Sequence, residues 1–234
     1  MQQYFAKDKD LNLEKSDYHH IKNVMRMKKG DLIKVVYDGI CYDCELTAVS
    51  DVCKFKIVNK YQNKKENINI TLAFSMIKEQ KQNLMLQKAT ELGVNDFIPL
   101  KTKHSIINIE SKKETAKIER WQKICKEASE QSFRTKVPKI NNITNIKNIT
   151  FDEYDLKIVC SLNKNAKNIK KVLQNKTKYD KIILIVGPEG GLASEEEDYL
   201  VSKGFVLTSL GDNVLRAETA PLVAISMINY ELMR

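Results

Sequence analysis

The pattern of apolar and polar positions changes character near residue 68. Before it, alternation dominates. Residues 16–27 carry Ile21, Val24 and Met25 on one face, with Ser16 placed to cap a short helix. Residues 31–37 and 40–49 alternate apolar with polar across Asp38-Gly39, a hairpin signal, and 52–61 supplies a third strand. The wholly polar stretch 62–67 reads as a linker. Beyond it, strands are predicted at 70–76, 96–100 and 156–160, with helices at 79–92, 113–131 and 166–175. A strand at 181–186 is followed by a helix whose Ser194 and Glu197 form a capping-box pair and which ends at Gly204. A strand at 205–210 then leads to a last helix beginning near 218–220, with Pro221 in its first turn. Such alternation predicts an α/β domain at 67–234, built on a largely parallel sheet, behind a small β-rich domain at 1–66. Residues 133–148 fit neither pattern.

Two loops stand out in the α/β part. Gly187-Pro188-Glu189-Gly190-Gly191 and Gly211-Asp212-Asn213 each follow an apolar strand and precede a helix. Open α/β sheets bind ligands at the carboxyl ends of their strands, so these loops predict a pocket. No Gly-Lys-Ser/Thr follows the first loop, and the G-x-G-x-x-G spacing of a dinucleotide site is absent.

Charge adds a partner. The formal net charge is +9, and the excess is uneven: residues 101–139 carry eleven Lys and Arg against five Asp and Glu, while 140–234 balance at twelve each. A cation surplus away from the glycine loops points to a polyanion such as RNA. Five cysteines without a secretion signal or a membrane-length apolar run predict reduced thiols in the cytoplasm. Cys41 and Cys44 form a C-x-x-C on a predicted strand, where residues three apart face opposite ways, so no metal is expected.

Five blocks carry a resemblance: GPEGGL at 187–192, LGDNVLRAETA at 210–220, QKATELGV at 87–94, EASEQSFRTKVP at 127–138 and HHIKNVMRMKKGD at 19–31. In these the chain resembles the bacterial 16S ribosomal RNA uridine methyltransferases that modify ring nitrogen 3, members of the SPOUT superfamily. The resemblance implies a trefoil-knotted methyltransferase domain, an N-terminal PUA-like RNA-binding domain, S-adenosyl-L-methionine as cofactor, 16S rRNA or the small ribosomal subunit as substrate, and a homodimer. The chain departs from the family at Gln3 and Asn213, where Arg is usual, and at Ala217, where Thr is usual.

On this basis the cofactor is expected to meet Ser161 and Leu162, then Gly187, Pro188, Glu189 and Gly190, and finally Leu210, Gly211, Asn213, Leu215, Thr219 and Ala220. Leu162, Leu210 and Leu215 would sandwich its ring. Arg216 is the candidate for stabilising negative charge on the uridine imide, and Glu218 for accepting its proton or orienting Arg216. Glu189 reads as a cofactor contact or as a cap for loop N–H groups. Arg26, Lys28, Lys103, His104 and Arg134 are the expected RNA contacts. Between Pro221 and Arg234 the final helix is apolar nearly all round, which leaves one face for a second copy. The other readings are a non-catalytic RNA-binding protein on the same fold and a methyltransferase acting at another RNA position.

Overall fold

The computed structural model describes residues 1–62, 68–105, 107, 109–175 and 178–232. The chain divides into two compact units, Met1–Lys65 with Lys126–Val137, and Glu66–Cys125 with Pro138–Arg234. The linker expected at 62–67 falls, past Gln62, outside the described residues.

In the first unit, β1 (Gln2–Phe5) precedes α1 (Lys15–His19), which runs into a π-helical turn at His20–Val24. Then come β2 (Leu32–Tyr37), β3 (Ile40–Ala48) and β4 (Lys54–Gln62). They form one sheet in the order β1-β2-β3-β4, antiparallel except for the parallel β1–β2 pair. Asp38 and Gly39 have φ of 47° and 75°, the pair of positive values a two-residue type I′ turn requires. The helix expected at 16–27 starts one residue sooner. Glu14, not Ser16, precedes it, and the Glu14 N–H donates to Asp17 Oδ2 at 3.3 Å. Ile21, Ile33, Val35, Cys44 and Leu46 fill the core, where burial pushes the Cys44 thiol up to about 11.

Strand β1 was not expected from the pattern. It is tied to the stretch 126–137: Gln3 Nε2 donates to the Arg134 carbonyl at 2.6 Å and the Phe5 N–H to Glu130 Oε1 at 3.3 Å. Lys126 Nζ lies 2.9 Å from Asp17 Oδ1 and 3.1 Å from Glu130 Oε1.

The second unit runs through β5 (Asn69–Ser75), α2 (Glu79–Glu91), β6 (Asp96–Lys101) and α3 (Ser111–Gln131), whose final turns belong to the first unit. The two-residue strands β7 (Lys139–Ile140) and β8 (Thr144–Asn145) follow, in the region the pattern left unassigned. Next are β9 (Leu156–Cys160), β10 (Lys167–Asn168) and α4 (Ile169–Leu173). The chain continues through β11 (Lys181–Val186), α5 (Ser194–Ser202), β12 (Val206–Ser209) and α6 (Thr219–Leu232). All pairings are parallel, in the order β10-β12-β9-β11-β5-β6-β7, with β8 also on β6.

A parallel sheet is covered on both faces, which is why the central strand reads as an unbroken apolar run; Ile182, Ile183, Leu184 and Ile185 are fully buried. Two local expectations need correction. The helix at 166–175 is a single short turn after β10, begun by the Asn168 side chain accepting from the Lys170 N–H at 3.0 Å. Helix α5 is capped by Ala193 and Glu196, not Ser194 and Glu197: the Ala193 N–H donates to Glu196 Oε2 and the Glu196 N–H to the Ala193 carbonyl, both at 2.9 Å.

Candidate functional site

Because β12, β9 and β11 are neighbours in register, Thr208, Cys160 and Val186 stand in a row at their carboxyl ends. The three loops that leave there enclose a cleft of about 520 Å³, a volume suited to a nucleoside-sized ligand.

The loop after β11 is held tightly. A Cβ on Gly187 would lie 2.8 Å from the Leu192 nitrogen and 2.9 Å from the Gly191 carbonyl carbon, both backbone atoms that cannot swing away. Gly191 has φ of 71°. Glycine is therefore demanded twice, once by space and once by torsion. The loop after β9 is fixed by Ser161, whose N–H donates to the Thr208 carbonyl at 3.0 Å. Its Oγ donates to Glu197 Oε1 at 2.6 Å and accepts the Asn163 N–H at 3.0 Å. Glu197 is thus a loop anchor. Leu162, 74 % exposed, projects an apolar side chain at the cleft, where Leu210 and Leu215 are half-buried.

The expected cofactor residues Ser161, Leu162, Gly187, Pro188, Glu189, Gly190, Leu210, Gly211, Asn213 and Leu215 all line this cleft, together with Arg216. Thr219 and Ala220 do not line it: their N–H groups both donate to the Arg216 carbonyl at 2.9 Å and begin α6. Arg216 itself is exposed, and among the described residues no carboxylate pairs with it.

Glu218 is only 9 % exposed and lies beside the cleft, not in its lining. Lys81 of α2, a residue that no sequence pattern singles out, stands 3.4 Å from both Glu189 Oε1 and Glu218 Oε2. The approach to Glu218 Oε2 is an ion pair without hydrogen-bond geometry, since that oxygen has no hydrogen-bond partner. One ammonium thus links the first glycine loop to the start of α6. Nothing local marks it, because Lys81 sits in a polar helix turn more than a hundred residues from either carboxylate. Cys160 faces the cleft, and burial of its sulfur pushes the thiol up to about 12, so it stays protonated.

The cations expected at RNA are placed unevenly. Arg26 and Lys28 are exposed in the first unit. Lys103, by contrast, forms an ion pair with Glu195, which holds the ammonium above and the carboxylate below their usual ranges, and its N–H donates to Glu196 Oε1 at 3.0 Å. His104 packs on the glycine loop, with Nδ1 3.2 Å from the Gly191 carbonyl. Arg134 departs furthest from expectation: it is 8 % exposed, leaving little guanidinium for a phosphate. Gln3, at the position where Arg is usual, is buried as well.

Residues 64–229 match the model of an RNA methyltransferase domain and residues 13–52 that of an RNA methyltransferase PUA domain. The ribosomal RNA small subunit methyltransferase E of Bacillus subtilis is 34% identical over 100% of this chain and 99% of its own. Its namesake from Mesomycoplasma hyopneumoniae is 31% identical over 95% and 96%. Among solved structures, a ribosomal RNA small subunit methyltransferase E from Neisseria gonorrhoeae bound to S-adenosyl methionine superposes with a TM-score of 0.87 at 27% identity, covering 98% of this chain and 97% of that one.

Proposed function

The chain belongs to the family of ribosomal RNA small subunit methyltransferases E, and from that membership we propose that it methylates ring nitrogen 3 of a uridine in 16S rRNA, using S-adenosylmethionine. The observation that carries this reading is the cleft at the ends of β9, β11 and β12, whose walls are loop backbone and leucine and whose rim bears an exposed Arg216.

The residues present fit the cofactor. Gly187 leaves no room for a side chain, so ligand and backbone can approach closely, and Leu162, Leu210 and Leu215 offer apolar faces to an adenine. S-adenosylmethionine, when bound, supplies a methyl group on a sulfonium, ready for in-line displacement. The chain must bend and hold it, orient the uridine, and stabilise the imide anion. Negative charge on that anion spreads over its two flanking carbonyl oxygens, where an exposed guanidinium is a suitable electrostatic partner; we assign that role to Arg216. Glu218, buried beside Lys81, positions the segment that carries Arg216. The trefoil path of the loops is adopted from the family resemblance, since true knots are too rare to propose otherwise.

Arg26 and Lys28 are the RNA contacts their exposure favours. A homodimer through α6 is supported by an apolar groove of about 590 Å³ lined by Leu222, Val223, Met227 and Tyr230, the last 88 % exposed. Five free cysteines and a ribosomal substrate favour the cytoplasm. The test is methyl transfer from isotope-labelled S-adenosylmethionine to small subunits from a strain lacking this gene, followed by nucleoside mass analysis. N3-methyluridine is the expected product. Label in another nucleoside would overturn the specificity, and no label would overturn the reading.

A further inference from the structure

The first unit presents an aromatic pair that neither its core nor the cleft uses. Phe133, just after α3, has φ of 56°, a left-handed backbone that bulky residues seldom adopt. The torsion closes α3, with the Phe133 N–H donating to the Glu130 carbonyl at 3.4 Å and the Arg134 N–H to the Ser129 carbonyl at 2.9 Å, and it leaves the ring 45 % exposed. Lys34 of β2 holds its ammonium 5.2 Å from the centroid of Phe133 and 5.4 Å from that of Tyr61 on β4. Among the described residues no carboxylate pairs with Lys34. Lys136, also exposed, reaches toward the hairpin turn, its Cε 3.9 Å from where a Cβ on Gly39 would sit. The nearby acid, Asp43, lies opposite Lys34 on β3 and accepts from the Tyr61 hydroxyl at 3.4 Å and from Asn59 Nδ2 at 3.5 Å.

An exposed Phe133 ring and a half-buried Tyr61 ring with a lysine between them suit an unpaired nucleobase, since every base has a face to stack and every linkage a phosphate to neutralise. A duplex hides those faces. We infer that Phe133 and Tyr61 stack an unpaired base of the RNA strand while Lys34 and Lys136 hold its flanking phosphates. The inference rests on the proposed RNA substrate and adds a single-strand subsite to it.

The test uses the full chain and a labelled, uridine-rich single-stranded RNA of about a dozen nucleotides, with a duplex of equal length beside it. Phe133→Gly removes the ring and supplies a residue at ease with the positive φ, so misfolding does not confound it. Its affinity for the single strand should fall roughly 5- to 150-fold, with duplex binding unchanged, and Phe133→Trp should restore it. Lys34→Met should lower the salt slope by about one. Phe133→Gly binding within about twofold of wild type would overturn the site, as would equal loss on the duplex or equal competition by polyglutamate. Methyl transfer by the wild-type chain is scored separately. If it stands while Phe133→Gly binds normally, the stacking site alone falls; if wild type neither binds RNA nor transfers methyl, both readings fall.

Discussion

Lys81 Nζ lies 3.4 Å from Glu218 Oε2, and this single ion pair ties α2 to the segment that carries Arg216. A carboxylate so little exposed needs a cation, while the Lys81 side chain is about a third exposed, so solvent weakens the pair. Lys81→Met should therefore lower S-adenosylmethionine affinity by about tenfold and cost on the order of 1 kcal/mol of stability. Adding Glu218→Gln should return most of the stability, because the stranded charge is gone. Calorimetry and thermal unfolding read both. Additive losses in the double variant would mean that the two residues act independently.

Gly187→Ala puts a methyl group into backbone, not into a movable side chain. It should destabilise the fold by about 1–3 kcal/mol and abolish cofactor binding. Gly190→Ala, whose Cβ would have the His104 side chain as its nearest neighbour, with Cβ at 3.5 Å, should be tolerated. Similar melting temperatures for the two variants would contradict the crowding argument.

Arg216→Ala should reduce turnover by about two orders of magnitude with the melting temperature near wild type, since the side chain is exposed and only its carbonyl supports α6. Near-normal turnover would remove Arg216 from the mechanism.

Among the basic residues, Arg26→Ala and Lys28→Ala should each weaken RNA binding and lower the salt slope by about one. Lys103→Ala should do less, because Glu195 already neutralises Lys103. Arg134→Ala should instead lower stability, the side chain being buried. An Lys103 effect as large as that of Arg26 would show that RNA displaces Glu195.

For the homodimer, Ile225 cannot serve as a probe of the α6 interface. It is fully buried within its own unit, so Ile225→Lys would unfold the chain. Tyr230→Asp and Val223→Asp act on the outward face of α6 and should shift sedimentation from dimer to monomer while leaving circular dichroism unchanged. A wild-type chain that sediments as an active 26.9 kDa monomer would refute the dimer.

The legible parts of the sequence were those written in local chemistry. Strands β9 and β11 fall at the expected bounds because a run such as Ile182–Ile185, closed by Gly187-Pro188, admits little else. The Asp38-Gly39 hairpin is readable for the same reason. What escaped depends on distant partners. Strand β1 has no alternation of its own and exists because β2 offers a parallel edge. Lys81 is one polar helix residue among several until the fold brings Glu189 and Glu218 to it. The capping shift in α5 is of the same kind: Ser161 claims Glu197, and Glu196 serves the helix start instead. Glycine loops announce a cleft, but not which side chains brace it.

The wholly parallel sheet also governs when the cleft can come into being. Strand β5 gains β11 as a neighbour only after more than a hundred further residues have been synthesised, and the row Thr208, Cys160, Val186 closes only when β12 arrives. The strand pairings that bring the cleft loops together are therefore non-local, so chain-closure entropy is spent before they stabilise the product. Nascent chains that end before residue 206 hold β6, β5, β11 and β9 but lack the strand that completes the site. The cleft is consequently complete only once β12 has joined β9, late in the chain.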